Sequence, residues 1–188
     1  MRRILSLCDY TGNWSQPYVD AGYDVVRVDL QHGGDVRLLE KDSTSVHGIL
    51  AAPPCTCFAS SGARWQRSEA DMIEALSVVD ACVRLAWAHR DTLRWWALEN
   101  PIGKLVRYLG KPLMRWNPCD FGDPYTKRTC LWGSFTPPLP LIVGKDLSVQ
   151  PTEGSKMHTQ YGGKSQATKN ARSATPLGFA RAFFEVNR

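Results

Sequence analysis

Four short apolar segments punctuate the first part of the chain: RRILSLCDY, DVVRVDL, VHGILAA and RWWALENP. Each has the length of a strand, and helical or turn-rich sequence separates it from the next. Strands spaced in this way read as a mostly parallel sheet with helices on both faces, a Rossmann-like α/β fold. The first strand covers residues 2–8. WSQPYVDAGY follows as a short helix that Gly22 stops. Pro53 and Pro54 end the third strand. Ser68 opens a long helix reaching about His89, with Asp71 in the reciprocal capping position. Its expected apolar stripe is Met72, Ile73, Leu76, Val79, Cys82, Val83 and Ala86. In sheets of this kind, ligands bind where the strands end. Asp9, Asp29, Cys55 and Glu99 all fall at or just after such ends.

The 188 residues suit one domain with a sizeable core. The core is expected over about residues 1–133, followed by a variable stretch to about 170 and a C-terminal helix over about 174–187. Past Pro101 the texture changes to Pro, Gly and aromatics around one short strand, TCLWG. Residues 144–170 read as a polar loop carrying Lys145, Lys156, Lys164 and Lys169. The last helix, TPLGFARAFFEVN, offers Leu177, Phe179, Ala180, Phe183 and Phe184 for packing. Hydrophobic residues at 43% and charged residues at 22% indicate a soluble globular protein. No apolar run is long enough to span a bilayer. The start, MRRILSLCDYTGNW, meets Asp9 too early for a signal peptide, which points to a cytoplasmic protein. The net charge of +5 is compatible with a polyanionic partner.

Several places could carry chemistry, and each has an ordinary reading beside it. CDYTGNW joins an acid, a tight glycine turn and a helix, which suits a nucleoside cofactor or is a plain strand-to-helix turn. Asp29 closes the second strand about 20 residues later, where a carboxylate can bind ribose hydroxyls. In AAPPCTCFASSG the paired prolines stiffen the backbone and remove two donors, so Cys55 is aimed. A thiolate there could attack an electrophilic carbon, or the thiol could merely be exposed. Cys55, Cys57, Cys119, Cys130 and His158 could form a metal site, although a CxC pair lacks the common ligand spacing. In ALENP, burial of Glu99 would raise its pKa and let it donate a proton, or it could cap a loop. Lys127 and Arg128 in YTKRTCLWG could anchor a negative charge or form a solvated face.

Together these pieces resemble the cytosine-C5 DNA methyltransferase family, as a compact member without a full target-recognition domain. LSLCDYTGNWSQPYVDAGYDVVRVDL is similar to its first two cofactor motifs, which implies S-adenosylmethionine contacts from Asp9, Tyr10, Gly12 and Asp29. GGDVRLL is similar to the third motif, with Asp35 on the adenine. ILAAPPCTCFASSG resembles the catalytic loop, which makes Cys55 the nucleophile, puts Pro53 beside the cofactor, and puts Pro54 and Ser60 beside the substrate. Cys57 falls at a non-catalytic position. LENP resembles the Glu-Asn-Val/Pro motif, giving Glu99 the N3-protonating role and Asn100 a substrate contact. YTKRTCLWG is similar to the basic segment, with Lys127 and Arg128 as its catalytic cations. RSATPLGFARAF resembles the last motif, which returns Ser173 to the cofactor pocket. The resemblance covers about residues 4–133 and 170–185.

The implied reaction is methyl transfer to C5 of cytosine in DNA through a cysteine–C6 adduct. Ala52 before the prolines and Cys55 after them argue against amine methylation. Three departures narrow the picture. The first motif lacks the glycine-rich Phe-x-Gly-x-Gly, Thr56 replaces the family Gln, and only residues 133–170 could hold a recognition region. The short chain therefore suits small recognition loops, a dimer partner, or a free deoxycytidine nucleotide such as dCMP. An idle nucleic-acid- or cofactor-binding module is the reading from a different class. The small size fits a phage or mobile-element protein in the cytoplasm of a bacterial host.

Overall fold

The computed structural model describes residues 1–62, 64–143, 146–147, 150–155 and 165–188. Six strands form one sheet: β1 (Arg3–Leu7), β2 (Asp24–Val28), β3 (Gly48–Ala51), β4 (Trp95–Pro101), β5 (Met114–Trp116) and β6 (Thr129–Ser134). Their order is β2-β1-β3-β4-β6-β5. The first four run parallel, with Leu7 opposite both Val28 and Ala51, and Ala51 opposite Leu98. β6 runs antiparallel to both β4 and β5, so the sheet is mixed. The expected mostly parallel sheet holds for the four strands β1 to β4, and the reversed β6 makes the whole sheet mixed. The short TCLWG strand does not stand alone, because Met114–Trp116 pairs along its outer side. A further small pair joins β7 (Ile142–Val143) to β8 (Asp146–Leu147).

Helices cover both faces because the central strands are apolar on both sides. β1 and β3 are buried almost throughout, as strands covered on two faces must be. On one face lies α2 (Glu69–Ala88), whose Val78, Val79, Cys82 and Leu85 meet Leu5, Leu7, Ile49 and Leu98. The expected capping box is present: Ser68 Oγ accepts from Asp71 N at 3.1 Å, and Asp71 Oδ2 accepts from Ser68 N at 3.1 Å. The buried stripe begins later than expected, and Ile73 is 62% exposed. The first turns of α2 project toward the turn Val36–Leu38, where Arg37 pairs with Glu74.

On the other face, α1 (Gln16–Asp20) and α5 (Leu177–Val186) bury Tyr18, Phe179 and Phe183 against Ile4, Leu50 and Trp95. Full burial of each such side chain contributes about 1.5–3 kcal/mol. Phe179 stacks on Trp116 at 3.8 Å, which ties the C-terminal helix to β5. Leu177, expected in this packing, is instead 48% exposed. α3 (Val106–Leu109) is a short turn of helix after β4. The stretch read as a polar loop contains α4 (Gln166–Ser173), capped by Ser165. Lys145, Lys156, Lys164 and His158 lie outside the described residues. No helix among the described residues is long and apolar enough to cross a membrane.

Candidate active site

The chain goes from β1 to β2 on one side, then crosses back to place β3 on the other side of β1. Such a reversal opens a crevice at the carboxyl ends of β1 and β3. Asp9 follows β1 there, and the Pro53–Cys55 loop follows β3. β4 ends beside that loop with Glu99 and Asn100. The reversed β6 matters here: Thr129 lies opposite Pro101, so Lys127 and Arg128 arrive at the same end of the sheet.

The Cys55 loop is pinned at several points. Cys55 O accepts from Phe58 N at 2.9 Å and from Ala59 N at 2.8 Å, closing a helical turn behind the thiol. Asn100 Nδ2 donates to Pro53 O at 2.9 Å. Ser60 N donates to Ile102 O at 2.9 Å, and Lys104 N donates to Phe58 O at 2.7 Å. The bridge Ala59–Gly103 completes the seam. A Cβ at Gly103 would run into Phe58 O, so only glycine lets the loop approach this closely. Phe58 is fully buried and anchors the loop in the core. Pro53 is buried, while Pro54 and Ser60 are exposed.

Glu99 is 6% exposed, and no hydrogen bond reaches its carboxyl among the described residues. Lys127 Nζ lies 3.9 Å from Glu99 Oε1, a Coulombic contact too long for a hydrogen bond, and both side chains are nearly inaccessible. Burial pushes the Glu99 carboxyl above the usual carboxylate range, and Lys127 pulls it part of the way back. Arg128, the other candidate cation, is exposed and turns away to solvent. Of the adjacent pair, only Lys127 enters the site. Asn100 is fully buried, and its Oδ1 has no partner among the described residues. A buried acceptor without a donor, beside a buried carboxyl without a donor, is the kind of deficit a ligand fills.

Cys55 keeps partial exposure. Burial pushes its thiol above the usual range, Lys127 lowers it, Glu99 raises it, and Arg172 lowers it again. Arg172 on α4 is a residue that the motifs did not single out. Removing either cation should therefore raise the thiol pKa further. We expect Lys127→Met and Arg172→Met each to shift the pH profile of Cys55 alkylation upward. The rate is followed by mass spectrometry of the Cys55 peptide, and a profile unmoved in both variants contradicts the arrangement. Cys57 faces differently: its thiol donates to Asp71 O at 3.6 Å and packs on the core. Cys82 is buried as expected, whereas Cys8 is partly exposed and adopts φ 58° just before Asp9. None of the six cysteines is joined in a disulfide. No group of three or more His, Cys, Asp or Glu able to hold a metal ion occurs among the described residues.

The proposed cofactor residues divide into two kinds. Asp9 is buried, and its oxygens accept from Ser6 Oγ at 2.9 Å, Ser15 Oγ at 3.1 Å and Gly12 N at 3.1 Å. It shapes the turn, and Gly12 adopts φ 70° within it. Asp35 is likewise committed: both its oxygens meet the Arg37 guanidinium, which holds its carboxyl below the usual range. Asp29 differs. Its Oδ1 accepts from Gln31 N at 2.8 Å, and Oδ2 has no partner among the described residues. Tyr10 stacks on His32 at 4.9 Å close by. Ser173 ends α4, and its hydroxyl donates to Asn170 O at 2.9 Å. α4 itself docks beside Asp29, through Gln31 Nε2 donating to Asn170 Oδ1 at 3.2 Å and Asn170 Nδ2 donating to Gln31 Oε1 at 3.0 Å. Asn13 Nδ2 donates to Thr175 O at 3.2 Å.

Neither protein-family models nor curated proteins match this chain. Two open depressions of about 470 and 330 Å³ lie at the opposite, amino-terminal end of the strands and touch none of the candidate residues.

Proposed function

We propose that the chain is an S-adenosylmethionine-dependent cytosine-C5 methyltransferase of Rossmann-like fold acting on DNA. One observation carries the reading. A loop cysteine and a buried carboxyl without hydrogen bonds among the described residues stand at the ends of adjacent parallel strands, with one lysine acting on both. A pyrimidine needs both groups: a nucleophile for C6 and a proton for N3.

The residues present fit the cofactor in part. Asp29 Oδ2 is free to accept from ribose hydroxyls at the end of β2. The Asp9–Gly12 turn and Tyr10 would flank it, and Pro53 would border the methyl end. Asp35 fits less well, because its acceptors already serve Arg37. S-adenosylmethionine, when bound, supplies an electrophilic methyl carbon. The Cys55 thiolate adds to C6 and forms a C–S bond. The Glu99 carboxyl gives its proton to N3 as the ring takes up the electron pair, which leaves C5 nucleophilic. Lys127 then faces the carboxylate so produced and stabilises it. After C5 is methylated, loss of the C5 proton to water reforms the C5–C6 double bond and expels the thiolate, and N3 returns its proton to the Glu99 carboxylate.

The test is direct. The protein is incubated with methyl-labelled S-adenosylmethionine and, separately, duplex DNA, single-stranded DNA and dCMP. Label in C5 of cytosine in at least one of them is expected. No label in any of the three rejects the assignment, and label in dCMP alone replaces DNA with a free nucleotide. A DNA-acting chain with no membrane-spanning helix among its described residues would work in the cytoplasm of a bacterial host.

A further inference from the structure

Two segments of the chain, residues 52–68 and 102–118, meet at the Cys55 loop through the Ala59–Gly103 bridge. Between them they hold six of the 23 Lys and Arg, namely Arg64, Arg67, Lys104, Arg107, Lys111 and Arg115. They hold none of the 18 Asp and Glu, and the rest of the chain carries one more acid than base. The two segments that meet at the Cys55 loop thus carry six formal positive charges and no negative one. No ion pair joins any of the six to a carboxylate among the described residues. Arg67 Nε is buried without a hydrogen-bond partner among the described residues. Arg67 has the Asp71 carboxylate nearby, and the other five, without ion pairs among the described residues, repel one another until a polyanion neutralises them.

Two aromatic rings stand out of this basic surface. Trp65 is 53% exposed and Tyr108 is 52% exposed. The Arg64 guanidinium lies 5.3 Å from the Trp65 ring centre, and Tyr108 is held edge-on by Phe58 at 6.3 Å. Apolar rings are costly to leave in water, and a phosphate backbone alone does not cover them. A base face does. In a duplex the base faces are stacked on one another and cannot reach such rings, whereas in a single strand they are free.

We infer that this surface binds a single-stranded polynucleotide, with the cations along its phosphates and Trp65 and Tyr108 stacking on its bases. That it delivers a cytosine to Cys55 rests on the proposed methyltransferase reading. A single-stranded target also needs no extrusion from a duplex before it meets the thiol.

The binding test uses the whole chain, without cofactor, and fluorescein-labelled adenine-only strands of about 16 nucleotides. Deoxy and ribo forms are compared with a deoxy duplex of the same length by anisotropy. Either single strand should bind about tenfold or more tightly than the duplex and quench tryptophan fluorescence. The tighter of the two strands identifies the polymer. Trp65→Ala and Tyr108→Ala should each weaken single-strand binding about tenfold. Arg107→Gln and Lys111→Gln should each reduce the salt slope by about 0.7. Circular dichroism establishes that the four surface variants remain folded. Equal or tighter binding of the duplex, or folded Trp65 and Tyr108 variants with unchanged affinity, overturns the inference. Because these strands contain no cytosine, the outcome is independent of methyl transfer. Strand binding without label transfer would reject the chemistry and leave the surface standing.

Discussion

Cys55→Ser is expected to abolish covalent capture of a strand containing 5-fluorocytosine and to lower methyl transfer by roughly 10⁴-fold. Cys57→Ser, two positions on, should leave both near the wild-type level. Fluorine at C5 cannot depart as the proton does, so the ring stays bonded to the attacking sulfur and the adduct survives denaturation. The two cysteines are chemically alike and close in sequence, and the difference lies in their surroundings. The Cys55 thiol lies within the fields of Lys127, Glu99 and Arg172. The Cys57 thiol is turned to the backbone of α2 and the core. A denaturing gel with labelled strand reads the adduct, and peptide mass spectrometry assigns the residue. Capture that persists in Cys55→Ser would remove the nucleophile from the proposal.

The four parallel strands are legible in the sequence because each is an apolar run cut off by Pro, Gly or Asp. The direction of β6 is not. Its apolar residues read the same whichever way the strand runs, and only its place between β4 and β5 sets the reversal. β5 has three residues, too few to show a period. α4 has no buried residue, so there is no apolar stripe to find. In α2 the spacing identifies the buried face, yet it cannot say which turns lie over the sheet. Ile73, expected in the apolar stripe, falls instead on the side of the helix shared by the exposed Asp80, Arg84 and Trp87, and points to solvent.

The site divides along similar lines. Cys55 and Glu99 stand out because paired prolines and an apolar run are unusual settings for a thiol and a carboxyl. Lys127 and Arg128 look equivalent as adjacent cations, and only the fold turns one inward. Asp9, Asp29 and Asp35 look equivalent as carboxylates after strands. Short acidic side chains readily accept from nearby backbone N–H groups, and this local satisfaction is invisible until the turn is formed. Asp9 and Asp35 are consumed that way, and Asp29 only by half. Arg172 is illegible for another reason: its helix comes to the site through polar contacts with Gln31, far away in sequence.

Glu99→Gln should cost about 10²- to 10⁴-fold in transfer while leaving strand affinity near wild type. Glutamine keeps the shape and can donate to a ring, but it has no proton to give up to N3. A loss confined to affinity would mean that Glu99 only binds. The same variant has a second, independent signature in its stability. Burial raises the Glu99 pKa in the folded protein. At low pH the carboxyl is neutral in folded and unfolded chains alike, and its burial carries no penalty. Once the pH passes the ordinary carboxylate range, the unfolded chain ionises freely. The folded chain must retain the proton or bury a charge, so wild-type stability falls until the raised pKa is passed. Glu99→Gln has no such group. Thermal unfolding followed across that range should therefore move in favour of Glu99→Gln as pH rises. The opposite trend would mean that the Lys127 contact outweighs burial and holds Glu99 ionised. An ionised Glu99 has no proton for N3, and the catalytic role given to it here would fall with that result.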